Sequence, residues 1–212
     1  QDKYEYAGAS GGYLDFLGYP FCRGRILGNI EKSDKYNTTR EIFWASGSCF
    51  IIRKSIFKLL NGFDEDFFCH MEEIDLCWRL KNLDPSYKII TIGKANVYHV
   101  GGGTMQYGGN RKNYLNFRNS LVMLIKNLPK KYFIFSLFLR LICDLFILIF
   151  SVLLFRFGLS FSILSAYYFN ILNFRKSLSK RKNGLVSYKY FICFSILINY
   201  YFFGKKTFSS IK

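Results

Sequence analysis

The sequence is short of acid. Against 30 lysines and arginines it carries 14 aspartates and glutamates, for a formal net charge of +16. It has only two histidines, and none of its six cysteines forms a C-x-x-C pair or a tight knot. Spacing therefore excludes the common zinc and redox patterns, and the cysteines read as reduced, mostly buried small hydrophobes in keeping with a cytosolic catalytic part. No G-x-G-x-x-G or G-K-[ST] follows a strand, which excludes a dinucleotide fingerprint and a phosphate loop. The opening Gln1-Asp2-Lys3-Tyr4 lacks the basic start and short apolar core of a signal peptide, and no Met precedes it.

What the sequence has in quantity is apolar and aromatic residues, 50% and 20% of the chain, unevenly spread. After Pro129 it becomes rich in Phe, Leu and Ile, and Asp144 is the last acidic residue. That shift divides the chain into residues 1–128 and a membrane-associated helical region, 129–212. Lysines and arginines there flank long apolar runs rather than interleave with Gly, Ser and stacking aromatics. An anionic membrane surface is the expected partner, and nucleic acid is not. Phe133 to Phe155 is long enough to span a bilayer, which takes roughly 20 apolar residues. Its only charges, Arg140 and Asp144, lie one turn apart and either pair within the span or face a partner helix. Leu159 to Phe174 completes a hairpin. Lys130-Lys131, Arg175-Lys176 and Lys180-Arg181-Lys182 sit at one end of it and place that end in the cytoplasm. Leu185 to Phe203 either spans or lies in the interface.

Within the first 128 residues, Tyr4 to Gly28 reads as loop and short irregular pieces, punctuated by glycine. Arg23 and Arg25 suit a diphosphate, because guanidinium forks match phosphate oxygens. Glu31 to Arg40 reads as a polar linker, Cys49 to Ile52 as a buried strand, and Lys54 to Leu60 as a short helix stopped by Asn61-Gly62. Tyr87 to Ile92 alternates as a strand. His99 follows a β-favouring triplet and precedes Gly101-Gly102-Gly103, where a strand gives way to a close-approaching loop. Asn110 to Leu128 is an amphipathic helix that packs on its own domain or lies along a membrane.

The chemical centre is Asn61 to Arg79, which holds six of the fourteen acidic residues: Asp64, Glu65, Asp66, Glu72, Glu73 and Asp75. Such a concentration against a basic background asks for a cation, a base, or both. On a helix from Glu72 to Leu80, Glu72, Asp75 and Arg79 share one face and suit salt bridging and capping. Glu73 starts the opposite face with Leu76, Cys77 and Leu80. A carboxylate aimed at the apolar side is costly unless the helix dipole, a metal or a substrate hydroxyl compensates. His70 reads as an ordinary residue.

The ordered motifs Trp44-Ala45-Ser46-Gly47-Ser48, Gly62-Phe63-Asp64-Glu65-Asp66-Phe67-Phe68, Glu72-Glu73-Ile74-Asp75-Leu76-Cys77-Trp78-Arg79 and Tyr98-His99-Val100-Gly101-Gly102 resemble the C-terminal half of family 2 glycosyltransferases of rhamnosyltransferase type. The resemblance covers about Tyr4 to Leu128. It implies the C-terminal part of a GT-A α/β fold, followed here by membrane-associated apolar helices. It also implies a nucleotide-diphosphate sugar donor, a glycan or lipid-linked acceptor, inversion at the anomeric carbon, and a divalent cation, Mg²⁺ or Mn²⁺. By the same resemblance Glu73, paired with Glu72, is the general base, at a place where the family more often has Asp. His99 helps hold the cation, and Trp44 lines the acceptor site, to which Asp75 is also assigned. The family's N-terminal half, with its D-x-D motif for metal and donor, has no counterpart here, so the expectation is a piece whose missing half precedes Gln1. The expected location is the cytoplasmic face of the cytoplasmic membrane. A non-catalytic basic membrane-binding module, or a truncated remnant, is the competing reading.

Overall fold

The computed structural model describes residues 10–95, 97, 109–181 and 190–211. It is mixed α/β, with small sheets and one long apolar helix. The chain divides into two compact units, one of Gln1–Asp64, Glu73–His99 and Leu185–Lys212, the other of Glu65–Glu72 and Val100–Gly184.

In the first unit, four short strands, β1 (Gly12–Leu14), β2 (Pro20–Cys22), β3 (Arg25–Ile26) and β4 (Asn29–Ile30), form an antiparallel meander in sequence order. The expected irregular stretch is thus a small sheet, whose tight turns use left-handed glycines at Gly18 and Gly24. β5 (Arg40–Ile42) pairs antiparallel with β6 (Ile89–Thr91), Glu41 opposite Ile90. An isolated bridge joins Gly12 to Trp44, and the indole lies so close that a Cβ on Gly12 would stand 1.9 Å from it. Only glycine fits there.

Helix α1 (Lys54–Leu59) ends as the sequence predicts. Asn61 and Gly62 both take left-handed φ, and the Gly62 amide donates to the Phe57 carbonyl at 2.8 Å. Helix α2 (Glu72–Leu83) is buried from Ile74 through Trp78, with Trp78 edge-on to Phe43 and Phe191.

Three expectations change in this unit. Cys49 to Ile52 forms no strand and Ile51 is fully exposed; among the described residues no strand pairs with the run. Residues 31–40 are mostly exposed, as a polar linker would be, but the stretch is pinned at Glu31 and Tyr36, which are buried. Glu31 is buried, accepting from the Tyr36 hydroxyl at 2.7 Å and the Phe208 amide at 2.8 Å. The last described stretch, 190–211, carries helices α7 (Ile196–Tyr201) and α8 (Phe208–Ile211) and packs with this unit. Buried Asp15 accepts from the Ile196 amide at 2.8 Å, and Phe208 packs against Tyr13, Phe21 and Tyr36.

The second unit is helical: α3 (Asn110–Asn127), α4 (Lys130–Leu153), α5 (Phe157–Leu172) and α6 (Phe174–Ser179). Leu121 to Leu124 and Leu128 of the α3 segment are buried, and so are Ile163 and Ala166 of α5. Helix α4 is long and apolar enough to cross a membrane. Its distribution is inside out: the buried residues are Ser136, Arg140, Asp144 and Ser151, whereas Phe135, Phe138, Phe146 and Phe150 are exposed. Arg140 and Asp144 do both things that the sequence allowed. They pair at 2.9 Å, and they reach neighbouring helices, Arg140 donating to Ser120 at 2.8 Å and Asp144 accepting from Tyr167 at 2.8 Å.

Candidate active site

The first turn of α2 carries the two carboxylates picked from the sequence. Preceding amides of a helix start are unpaired within the helix and favour anions, so Glu72 and Glu73 stand where a negative charge is tolerated. Glu73 faces the turn Ser46-Gly47-Ser48. A Cβ built on Gly47 would lie 3.7 Å from Cβ and Cδ of Glu73, ordinary contact distance. That turn is closed by the Cys49 amide donating to the Ser46 carbonyl at 3.2 Å and by the two serine hydroxyls at 2.8 Å, and Gly47 and Ser48 are exposed. The structure thus places the small-residue turn beside Glu73 of the acidic motif.

Glu72 is half-buried, and burial raises its pKa above the usual carboxylate range. Its Oε2 is buried without a hydrogen-bond partner, as is Nε2 of His70. Burial, reinforced by the nearby Lys112 charge, lowers the His70 pKa and favours neutral imidazole. The segment that delivers these groups is unusual. Phe68, His70 and Met71 have φ of 62°, 68° and 72°, a left-handed run of non-glycine residues. Each such residue costs about 1–3 kcal/mol unless its surroundings hold it, and such costs cluster at functional sites.

The other sequence-predicted residues have different placements. Asp75 is completely buried and paired with Arg79 at 2.7 Å; Arg79 also donates to the carbonyls of Leu60 and Gly62. This is the salt-bridging role, and it leaves Asp75 no exposed face for an acceptor. Trp44 is buried, its indole N–H donating to the Tyr13 carbonyl at 2.9 Å, so the ring builds the core beneath the Ser46-Gly47-Ser48 turn. Arg23 is buried as well. Its guanidinium donates to Thr38 O and Oγ1 at 3.1 and 2.6 Å and lies over the Tyr36 ring, which removes it from any phosphate. Arg25 is half-buried, with Nε donating to the Leu27 carbonyl at 3.3 Å. His99 lies outside the described residues.

The spacing D-x-D also occurs within the acidic stretch itself, at Asp64-Glu65-Asp66. Asp66 is not poised for a cation: Lys176 and Lys180 donate to its two carboxylate oxygens at 2.9 and 2.7 Å, and those bonds, Lys180 first, lower its pKa. Among the described residues no group of three His, Cys, Asp or Glu side chains could hold a metal ion. The one ligand that the resemblance assigns to the divalent cation, His99, lies outside those residues, and no chemical step is derived through the cation.

Sequence reasoning missed Arg118 and Asn119 of α3, which hold the left-handed segment. Their long-range bonds to backbone carbonyls leave no trace in local periodicity.

Comparison with known proteins gives short matches. The chain is 49% identical over 41 residues to N-acetylglucosaminyl-diphospho-decaprenol L-rhamnosyltransferase of Mycobacterium tuberculosis, 19% of this chain and 13% of that protein. It is 43% identical over 66 residues to rhamnosyltransferase WbbL of Escherichia coli K12, 31% of this chain and 24% of that protein. The chain thus matches about a quarter or less of the length of these relatives. No family model and no solved structure matches it. The matches relate part of the chain to glycosyltransferases.

Proposed function

We propose that this chain is the acceptor-side part of an inverting glycosyltransferase of GT-A type, which moves a sugar from a nucleotide-diphosphate donor to a glycan or lipid-linked hydroxyl. The observation that carries the proposal is Glu73: a carboxylate in the first turn of α2, so close to the partly exposed Ser46-Gly47-Ser48 turn that a Cβ added at Gly47 would reach ordinary contact with it. The short matches to two rhamnosyltransferases support it and suggest deoxyhexosyl transfer.

A hydroxyl is a poor nucleophile at neutral pH, so transfer needs a positioned base. Glu73 takes the acceptor proton as the acceptor oxygen bonds to the anomeric carbon. The bond from that carbon to the diphosphate oxygen breaks on the opposite face, the nucleotide diphosphate leaves with the electron pair, and configuration inverts. The open Ser46-Gly47-Ser48 turn gives the acceptor room beside the base. Glu72, with a buried and partnerless oxygen, is the second group able to meet a substrate hydroxyl.

The membrane belongs to the same proposal. Helix α4 exposes phenylalanine and buries Arg140, Asp144 and two serines, a distribution that costs free energy in water and gains it in lipid. With Lys130, Lys131, Arg175 and Lys176 at one end of the hairpin, the catalytic part lies on the cytoplasmic side of the cytoplasmic membrane.

The test uses membranes carrying the whole protein, a panel of nucleotide-diphosphate sugars and lipid-linked acceptors. Acceptor-dependent release of nucleotide diphosphate is expected, and Glu73→Gln should lower it about 10²–10⁴-fold, the usual worth of a general base. Release that is indifferent to Glu73→Gln would contradict the assignment. Absence of any release would favour the non-catalytic membrane module.

A further inference from the structure

Asn119 lies in the middle of α3 and is completely buried. Its side-chain amide donates to three backbone carbonyls at once: Phe67 at 2.9 Å, Cys69 at 2.8 Å and His70 at 2.7 Å. Its Oδ1 accepts from Arg118 Nε at 2.7 Å, and Nη2 of Arg118 donates to the Asp66 and Phe67 carbonyls at 2.9 and 2.8 Å. The Arg118 guanidinium is held in turn between the rings of Tyr114 and Phe169, 5.7 and 5.0 Å from their centroids. Two adjacent side chains on one helix therefore hold four successive or near-successive carbonyls, those of residues 66, 67, 69 and 70.

An amide nitrogen has two hydrogens, so three carbonyls converging on it must share them. Convergence of this kind requires the chain to wrap around the amide, and it does so through the left-handed residues Phe68, His70 and Met71. Nothing in the identity of these residues favours that conformation, since none is glycine and only His has even a modest tendency towards it. The conformation is imposed by α3. The residue after Met71 is Glu72, the last of this stretch in the same compact unit. A looser wrap would move its carboxylate.

We propose that Asn119, backed by Arg118, is a positioning residue for Glu72: it fixes the stretch of chain that ends at that residue, and so the direction in which its carboxylate points. The proposal rests on the transfer reading above and adds residues that the sequence motifs did not indicate. Asn119 touches no reacting atom. It acts through the backbone from Phe67 to His70.

The test is Asn119→Ser, which keeps a small polar group but cannot reach three carbonyls, together with Arg118→Lys, which keeps the charge but loses the planar fork. Asn119→Asp is the harsher third variant, placing a carboxylate against carbonyl oxygens. Whole protein in membranes or detergent is assayed for nucleotide diphosphate release per folded molecule, against pH and donor concentration. Asn119→Ser should lower kcat by a factor of about three to ten, no more than Glu72→Gln itself, while donor KM stays within about twofold. The acid limb of its pH–rate profile should shift, because the surroundings of the Glu72 carboxylate change. A purely structural asparagine would lower the folded fraction and the thermal midpoint without moving that limb. Unchanged kcat per folded molecule, or an unchanged acid limb, overturns the proposal while leaving the transfer reading intact. No release from the unaltered protein overturns both.

Discussion

The first and second turns of α2 treat their carboxylates in opposite ways. In the second turn, Asp75 is wholly buried and bonded to Arg79, which also ties down the carbonyls that end α1. In the first, Glu72 carries a raised pKa and a partnerless buried oxygen, and Glu73 lies against an exposed turn. The segment entering the helix is left-handed at three residues. One turn spends its charge on the fold, and the other keeps its charge where a substrate can use it. Seven residues span both, so acidic residues on the same helix need not share a role.

The comparison can be broken from either side. Glu73→Gln should produce the largest change, the 10²–10⁴-fold loss of transfer given above, with little effect on stability. Asp75→Ala should do the reverse. It leaves a largely buried guanidinium without its counter-ion, and the expected cost is about 3 kcal/mol or more in denaturant unfolding, with activity per folded molecule kept within a few-fold. Equal loss of activity and stability in both variants would erase the distinction.

A smaller effect sharpens it. Because burial raises the Glu72 pKa in the folded state, the protonated form is the one the fold prefers. Its contribution to stability is present below the ordinary carboxylate pKa and is lost as pH rises through the raised value. Glu72→Gln should therefore melt at the same temperature as the unaltered protein in acid and above it at neutral pH. A melting difference that does not vary with pH would mean that Glu72 is not held in a disfavoured charged state. Asp66 has the opposite sign: lysine hydrogen bonds lower its pKa, so its contribution is present above the ordinary carboxylate pKa and lost as pH falls through the lowered one. The pairs are partly exposed, so Asp66→Asn should cost less than about 1 kcal/mol and should cost nothing measurable in high salt.

What the sequence revealed divides along the range of the interactions. Helix α3, helix α4 and the stop at Asn61-Gly62 were legible because periodicity, apolar length and a left-handed cap are local signals. Cys49 to Ile52 misled because an apolar run cannot show whether a partner strand exists, and among the described residues Ile51 has none. β5 and β6 pair across nearly fifty residues of chain. Arg23, free in a sequence reading, is committed to Thr38 and Tyr36, and Glu31 to the distant Phe208 amide. Asn119 is the sharpest case: three carbonyls about fifty residues away define what it does, and an asparagine inside an amphipathic helix announces none of them.

The central claim is that the two adjacent glutamates differ, Glu73 taking the acceptor proton and Glu72 not. Single-turnover transfer by the whole protein in membranes, compared for Glu73→Gln and Glu72→Gln, tests it most directly. The account predicts a loss of at least about 10²-fold for Glu73→Gln and at most about tenfold for Glu72→Gln, whose amide still hydrogen-bonds a hydroxyl. The reverse order, or equal losses, would contradict it.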